Sequence, residues 1–423
     1  MNMIVRTSIL AVCLLAVSAC GTAYAWEWPG EPGDPVGLCV STSAHLVSTT
    51  PTRSVWVTCV GSTVDFWLIA SDYDFVYPRA GWDELNFPNW PGDPPHKVLD
   101  ENGTWKGYYE GTHQQTYDAV GRYTLNVSAN DDGNIYADGG AQYEVVVLVV
   151  SLTMNSPTDD MRFVVGPAEC DIAVIATVQG YYPADATYDV RWWVTPQGGP
   201  SYPKGSMTPR SGGKYTAVWD TDGTARGDWQ VKTVLYVAGQ EMCAFKTADI
   251  SCAKPTWPIC SGGTNGYIIR WLHLDPPCSW RGVDVDITGT HCSGTAPLLA
   301  SEDGSASPHD FEPTNDPCNT VRCYANLVNY GSFKVRLVDP DAPTYDSRSL
   351  VTDHWHMMNA GRTSGPVDYH QSLGNGGYSG NVEGSHDHFI TKVGGSPVSP
   401  DRTGATGDGS YTNCGQQLHP DWN

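Results

Sequence analysis

Apolar residues along this chain come in short runs of strand length rather than in helical stripes. No long stretch carries them at i, i+3, i+4 and i+7. β-Branched and aromatic runs instead alternate with clusters of Gly, Pro, Asp and Asn, the pattern of all-β domains. Ser54–Val60 (SVWVTCV) and Thr63–Ala70 are joined by the two-residue turn Gly61-Ser62. Gly121–Ser128 and Gln142–Val150 follow in the same block. Further on, Asp171–Val178, Tyr188–Val194, Gly213–Asp220 and Asp228–Ala238 read as strands, the last ending in a hairpin at Gly239-Gln240. A strand turns only one of two neighbours inward, so one of Trp192 and Trp193 fills a core. Gly266–Leu272, Gly282–Thr288 and Ser332–Val338 are the strand candidates of the last block.

The predicted organisation is a leader at 1–25, a Trp/Pro/Gly-rich linker at 26–50, β-sandwiches at 51–150 and 151–252, and a loop-rich, cysteine-containing β region at 253–423. A length of 423 residues fits two to four such domains. The leader has Arg6, an apolar run from Ile9 to Val17 and an Ala23-Tyr24-Ala25 end, which reads as an export signal. Val17-Ser18-Ala19-Cys20 offers a second reading, lipidation at Cys20 and a lipid anchor to the membrane. The later apolar run Val145–Val150 is far too short to span a bilayer.

Export changes how the cysteines are read. Thirteen are present, no two in a C-x-x-C pair, which argues against a zinc ribbon or a thioredoxin-like motif. In an oxidising compartment they are disulfide candidates, foremost Cys39, Cys59, Cys170 and Cys243, with the connectivity open. Eleven lie beyond the leader. The number is odd, so one is left over, with Cys414 the most isolated. A net charge of −22 argues against nucleic acid as a partner.

Two stretches resemble known modules. VTCVGSTVDFWLIASDYD, then DAVGRYTLNVSANDDG, then a valine-rich strand, is similar to PKD and related immunoglobulin-like domains of bacterial surface proteins. YTAVWDTDGTARGDWQVKTVLYV resembles bacterial Ig-like domains. The resemblance implies tandem immunoglobulin-like β-sandwiches that act as spacers and binding surfaces. The insert Tyr73–Gln115 departs from the usual PKD length.

Candidate chemistry is sparse. TDHWHMM and GSHDHF each hold an H-x-H pair. On adjacent strands His354, His356, His386 and His388 could surround zinc or copper, with Asp353, Glu383 or Asp387 fixing the tautomers. Without that, they are solvated or core histidines. Asp131 and Asp132 with Asp138, Asp220 and Asp222 with Asp228, and Asp339-Pro-Asp341 with Asp346 could supply oxygen ligands to calcium, or simply close turns. Sixteen tryptophans and 22 tyrosines allow stacking on sugars, with Trp26, Trp28 and Trp90 in exposed Trp-Pro segments. No G-x-S-x-G or phosphate loop occurs. The expectation is therefore a secreted or cell-surface structural or adhesion protein, non-catalytic, whose partners are other surface proteins or extracellular glycans. The alternatives are a metal-dependent extracellular enzyme with its site in 353–388, and a carbohydrate-binding surface protein.

Overall fold

The computed structural model describes residues 37–50, 52–72, 76–82, 86–87, 96–99, 105–131, 141–165, 171–256, 266–274, 281–286, 297–311, 322–377, 379, 387–398 and 411–412. The leader 1–25 with Cys20, and likewise Asp132, Asp138, Cys170, His386 and Cys414, lie outside these residues. The chain is all-β. Among the described residues the sole helical element is the short 3-10 turn Ser211–Gly213.

The first strands are β1 (Gly37–Thr42), β2 (His45–Thr50), β3 (Arg53–Cys59), β4 (Thr63–Asp72), β5 (Val76–Trp82), β6 (Asn86–Phe87), β7 (His96–Leu99), β8 (Trp105–Thr116), β9 (Gly121–Asp131) and β10 (Ala141–Ser156). The middle of the chain adds β11 (Met161–Val164), β12 (Ile172–Gln179), β13 (Tyr188–Pro196), β14 (Tyr202–Ser206), β15 (Thr208–Pro209), β16 (Lys214–Trp219), β17 (Gly227–Val237) and β18 (Gln240–Ala253). The last part adds β19 (Gly266–Leu274), β20 (Arg281–Asp286), β21 (Pro297–Leu299), β22 (Gly304–Phe311), β23 (Cys323–Leu337), β24 (Tyr345–Trp355), β25 (Gly365–Val367), β26 (Ser372–Asn375), β27 (Asp387–Val393), β28 (Ser396–Val398) and β29 (Tyr411–Thr412). Residues 37–50, inside the stretch expected to be a linker, thus form β1 and β2.

Strands β1-β4-β8-β7 make a first sheet. A second runs β15-β16-β12-β10-β9-β5-β6, with β3 alongside β10. A third runs β14-β13-β17-β18-β11-β23-β24-β27-β20-β19-β29, with β22 on β23 and β25 on β22. The Gly61-Ser62 turn does not close a hairpin. β3 pairs with β2 and β10, whereas β4 pairs with β1 and β8. The turn is therefore a corner that passes the chain from one sheet to the next, with Gly61 at φ +82°. The β17–β18 hairpin does close. Ala238 and Gly239 are its two positive-φ central residues, one position earlier than the sequence suggested.

Strand β10 explains why VVVLVV is apolar at every position. Val145, Val147 and Val149 pack with Trp56, Val64, Phe66 and Leu125 in one core. Val146, Leu148, Val150 and Leu152 pack on the other side with Ile172, Val190, Trp192 and Leu235. Successive side chains point to opposite faces, so a strand with a core on each side must be apolar throughout. Each such side chain contributes roughly 1.5–3 kcal/mol of transfer free energy. The second junction repeats the device. Phe163 and Cys252 belong to the middle core, while their neighbours Val164 and Ala253 belong to the third, built around Tyr330, Phe333 and Phe389. Parallel pairing of β11 with both β18 and β23 carries the third sheet across that junction.

Ion networks brace both junctions. At the first, Asp185, in the loop after β12, takes Arg53 Nη2 at 2.6 Å and Arg122 Nε at 3.1 Å. Glu144 on β10 meets the same two guanidiniums at 3.2 and 3.4 Å. Burial opposes ionisation of Asp185, but the hydrogen bonds from Arg53 and Arg122 outweigh it and hold the carboxyl below its ordinary value. A depressed folded-state value gives stability that is complete above the unfolded carboxyl value of about 3.9 and is lost as pH falls through the folded one. Asp185→Asn is therefore expected to unfold about 2 kcal/mol more easily at pH 7. The gap to wild type should close below about pH 4. Urea titrations at both pH values check this; a gap that stays constant would refute it.

At the second junction Glu302, in the turn before β22 and 1% exposed, sits between Arg226 and Arg162. Arg226 Nη2 is 2.6 Å from Glu302 Oε1, and Arg162 Nη2 is 3.7 Å from it. Lys254 N–H donates to Glu302 Oε2 at 3.0 Å. Tyr345 of β24 reaches across the same junction. Its hydroxyl accepts from Ala173 N–H at 2.9 Å, and its ring meets Phe163 edge-on at 5.2 Å.

Candidate functional site

The two histidine-bearing segments lie side by side. β24 and β27 are antiparallel neighbours, with His354 opposite Phe389 and Trp355 opposite His388. Residues directly across a ladder share a face, so His354 with Phe389 points into the third core, and Trp355 with His388 points to the other face. The ring contacts agree, at 5.2 Å for each pair. His356 lies just past β24 with φ +66°, a left-handed conformation that histidine tolerates better than most residues. That twist parts it from His354 and brings its ring to 6.1 Å from His388, centroid to centroid. Its Nδ1 donates to the Ser379 carbonyl at 2.8 Å and lies 3.6 Å from Cys323 Sγ.

His354 has both ring nitrogens engaged. Nδ1 is 2.9 Å from Asp387 Oδ2, and Nε2 is 3.1 Å from Thr352 Oγ1. Thr352 Oγ1 is in turn 2.9 Å from Tyr330 Oη, which accepts from Ser301 N–H at 3.1 Å. Burial pushes the Tyr330 phenol above its ordinary value, so it stays protonated and donates. One arrangement that satisfies these contacts has Tyr330 donating to Thr352, Thr352 to His354 Nε2, and His354 Nδ1–H to Asp387. Carboxylate, imidazole and hydroxyl stand in the order used for nucleophilic catalysis. However, Thr352, His354 and Asp387 are all 0% exposed, and the hydroxyl is committed onward to Tyr330. The series can hold the core together but cannot reach a substrate. Its sequence signal was the T-x-H of Thr352 and His354, two residues on one strand face.

The opposite face of β24 and β27 gathers Asp353, His388 and Lys392. Asp353 has Lys392 Nζ at 3.4 Å from one oxygen and His309 Nε2 at 3.4 Å from the other. Among the described residues, no group of three or more His, Cys, Asp or Glu side chains is placed to hold a metal ion. His354, bound to Asp387 and Thr352, is not brought together with His356 and His388.

Of the acidic turns, Asp222 N–H donates to Asp220 Oδ1 at 2.9 Å, which is turn closure by a side chain. Burial, and then Asp220, raise the Asp171 carboxyl. Asp228 is exposed on β17, and Asp131 ends β9 with its side chain outside the description. Cys59 is disulfide-bonded. The side chains of Cys39 on β1 and Cys243 on β18 are not described. Cys252 and Cys323 are buried free thiols. Burial pushes Cys252 up to about 12 and raises Cys323, which keeps both from forming reactive thiolates.

No family model matches the chain, and no curated protein matches it. Among solved structures, it is similar at 10% identity to Dpr2 Ig1-Ig2 in complex with DIP-Theta Ig1-Ig3. That match covers 79% of this chain and 98% of the other at a TM-score of 0.24. The ICAM-5 D1-D4 ectodomain fragment is 12% identical over 74% of this chain and 82% of its own, at 0.26. The C-terminal domain of the Streptococcus agalactiae AgI/II polypeptide BspA is 11% identical over 50% and 99%, at 0.21. Scores this low carry no argument about function. The neighbours include immunoglobulin-like domains, and a PKD-type module is not among the three. The all-β class rests on the chain's own strands.

Proposed function

We propose that this chain is an exported or cell-surface structural or adhesion protein, a braced stack of β-layers that holds a binding surface at a fixed position. The observation that carries the reading is the sharing of layers. β10 serves the first and middle cores, β11 and the end of β18 serve the middle and third, and a carboxylate bridges two arginines at each junction. Modules strung on flexible linkers would each close their own core and keep polar surfaces between them. Export is supported by the leader-like residues 1–25 and by a bonded Cys59. The fully buried Asp387–His354–Thr352 series supports a non-catalytic reading of that region.

Calorimetry of the full chain tests it. Shared cores predict one cooperative transition, with calorimetric and van't Hoff enthalpies close to each other. Three separable transitions would reject the braced stack. Fractionation of the source cells tests export separately, and retention in the cytosol would reject that part.

A further inference from the structure

The outer face of β13, β17 and β18 gathers aromatic and cationic side chains. The inward residues of these strands, among them Trp192, Val231 and Ile250, fill the middle core. The alternate residues point outward. Trp193 stands opposite Lys232, and Lys232 opposite Thr247; Val234 stands opposite Phe245, and Asp189 opposite Tyr236. Three aromatic rings are therefore displayed on neighbouring strands spaced about 4.8 Å apart. Phe245 is 56% exposed, the most open aromatic side chain among the exposed large hydrophobics.

The rings are interleaved with cations. Lys232 Nζ lies 5.9 Å from the Trp193 ring and 5.1 Å from the Phe245 ring. Arg191 covers Tyr236 at 4.3 Å. The polar groups around them are already oriented by one another. Asp189 Oδ2 accepts from Arg191 Nε at 2.9 Å and from Ser206 at 3.1 Å, and Tyr236 donates to Glu241 at 3.1 Å. Gln230 donates to Asp249 at 2.9 Å.

We infer that this face binds a neutral polysaccharide. The reading rests on the proposed surface role and names the partner class for it. Charge selects the occupant. Lys232 and Arg191 stand among the three rings, so a cationic ligand meets like charge at the centre of the face. A polyanion is repelled by a chain of net charge −22, and the face's own carboxylates offset its two cations. A protein partner would have to strip water from both cations. A neutral sugar needs neither concession. Its C–H faces stack on the rings, and its paired hydroxyls match planar guanidinium, carboxylate and amide groups already held in place.

Affinity electrophoresis of the full chain tests this, in gels containing dextran, laminarin, xylan or hydroxyethyl cellulose, with alginate and chitosan as charged comparators. At least one neutral polymer should retard the protein and neither charged polymer should. Phe245→Ala, a change at an exposed position, should weaken that retardation about tenfold, and Trp193→Ala by as much or more, with unchanged circular dichroism. No retardation by any neutral polymer, retardation only by a charged one, or retardation indifferent to both substitutions would overturn the assignment. Failure here with a single calorimetric transition intact removes the ligand and leaves the braced stack. Failure of the single transition with sugar binding intact does the reverse.

Discussion

Glu302→Ala is expected to lower the unfolding free energy by about 3 kcal/mol, the scale for breaking a buried charge pair. The side chain is 1% exposed and receives two guanidiniums and the Lys254 amide. Removing it leaves Arg226, among the described residues, with only Asp303 as a carboxylate partner, at 2.5 Å, on the solvent side. Arg162 keeps the Tyr330 carbonyl at 2.7 Å and the Phe333 ring at 4.3 Å, but lies among buried groups with less negative charge to answer it. Because the site is a junction, the loss should split the calorimetric transition rather than only shift it. The last unit would then melt ahead of the others. Glu302→Gln keeps the shape and one acceptor and should fall between. An undivided transition with a shift under about 0.5 kcal/mol would mean that the junction is held by packing alone.

The second large effect belongs to the buried series in the third core. His354→Ala removes the partner of Asp387 Oδ2, and Asp387 Oδ1 has no hydrogen-bond partner among the described residues. It also opens a cavity beside Phe389 and strands the Thr352 hydroxyl. A cost of about 3–5 kcal/mol follows from the unpaired group and the lost volume. Asp387→Ala should cost a similar amount. The double variant should cost less than the sum of the two by about 1–3 kcal/mol, since the pair acts as one unit. Urea denaturation of the three proteins measures this. Strict additivity would show that His354 and Asp387 do not depend on each other.

Strands could be read from the chain because alternation and turn residues are local. SVWVTC, YDVRWWVTP and DWQVKTVLYV all fall on strands, and of the paired tryptophans it is Trp192 that lies inside, 5% exposed. What the layers share could not be read. VVVLVV signals burial on both faces, but nothing in it says that the two faces meet different cores. Gly61-Ser62 has the composition of a hairpin, and only the partners of β3 and β4 make it a corner. The braces join residues far apart in sequence: Arg53 and Asp185 are 132 positions apart. Glu302 and Arg226, 76 apart, carry no local pattern that pairs them. The histidine segments did come to lie on adjacent strands. Their grouping turned on one backbone angle, the positive φ of His356, which a sequence does not display.

One free margin of the third sheet has a consequence for life at high density. β14 is exposed at all five positions, and it carries Pro203 and Lys204. Proline offers no amide to a neighbouring backbone, and a lysine charge must be neutralised before another strand can lie against it. Copies brought close together would therefore not zip strand to strand at that boundary.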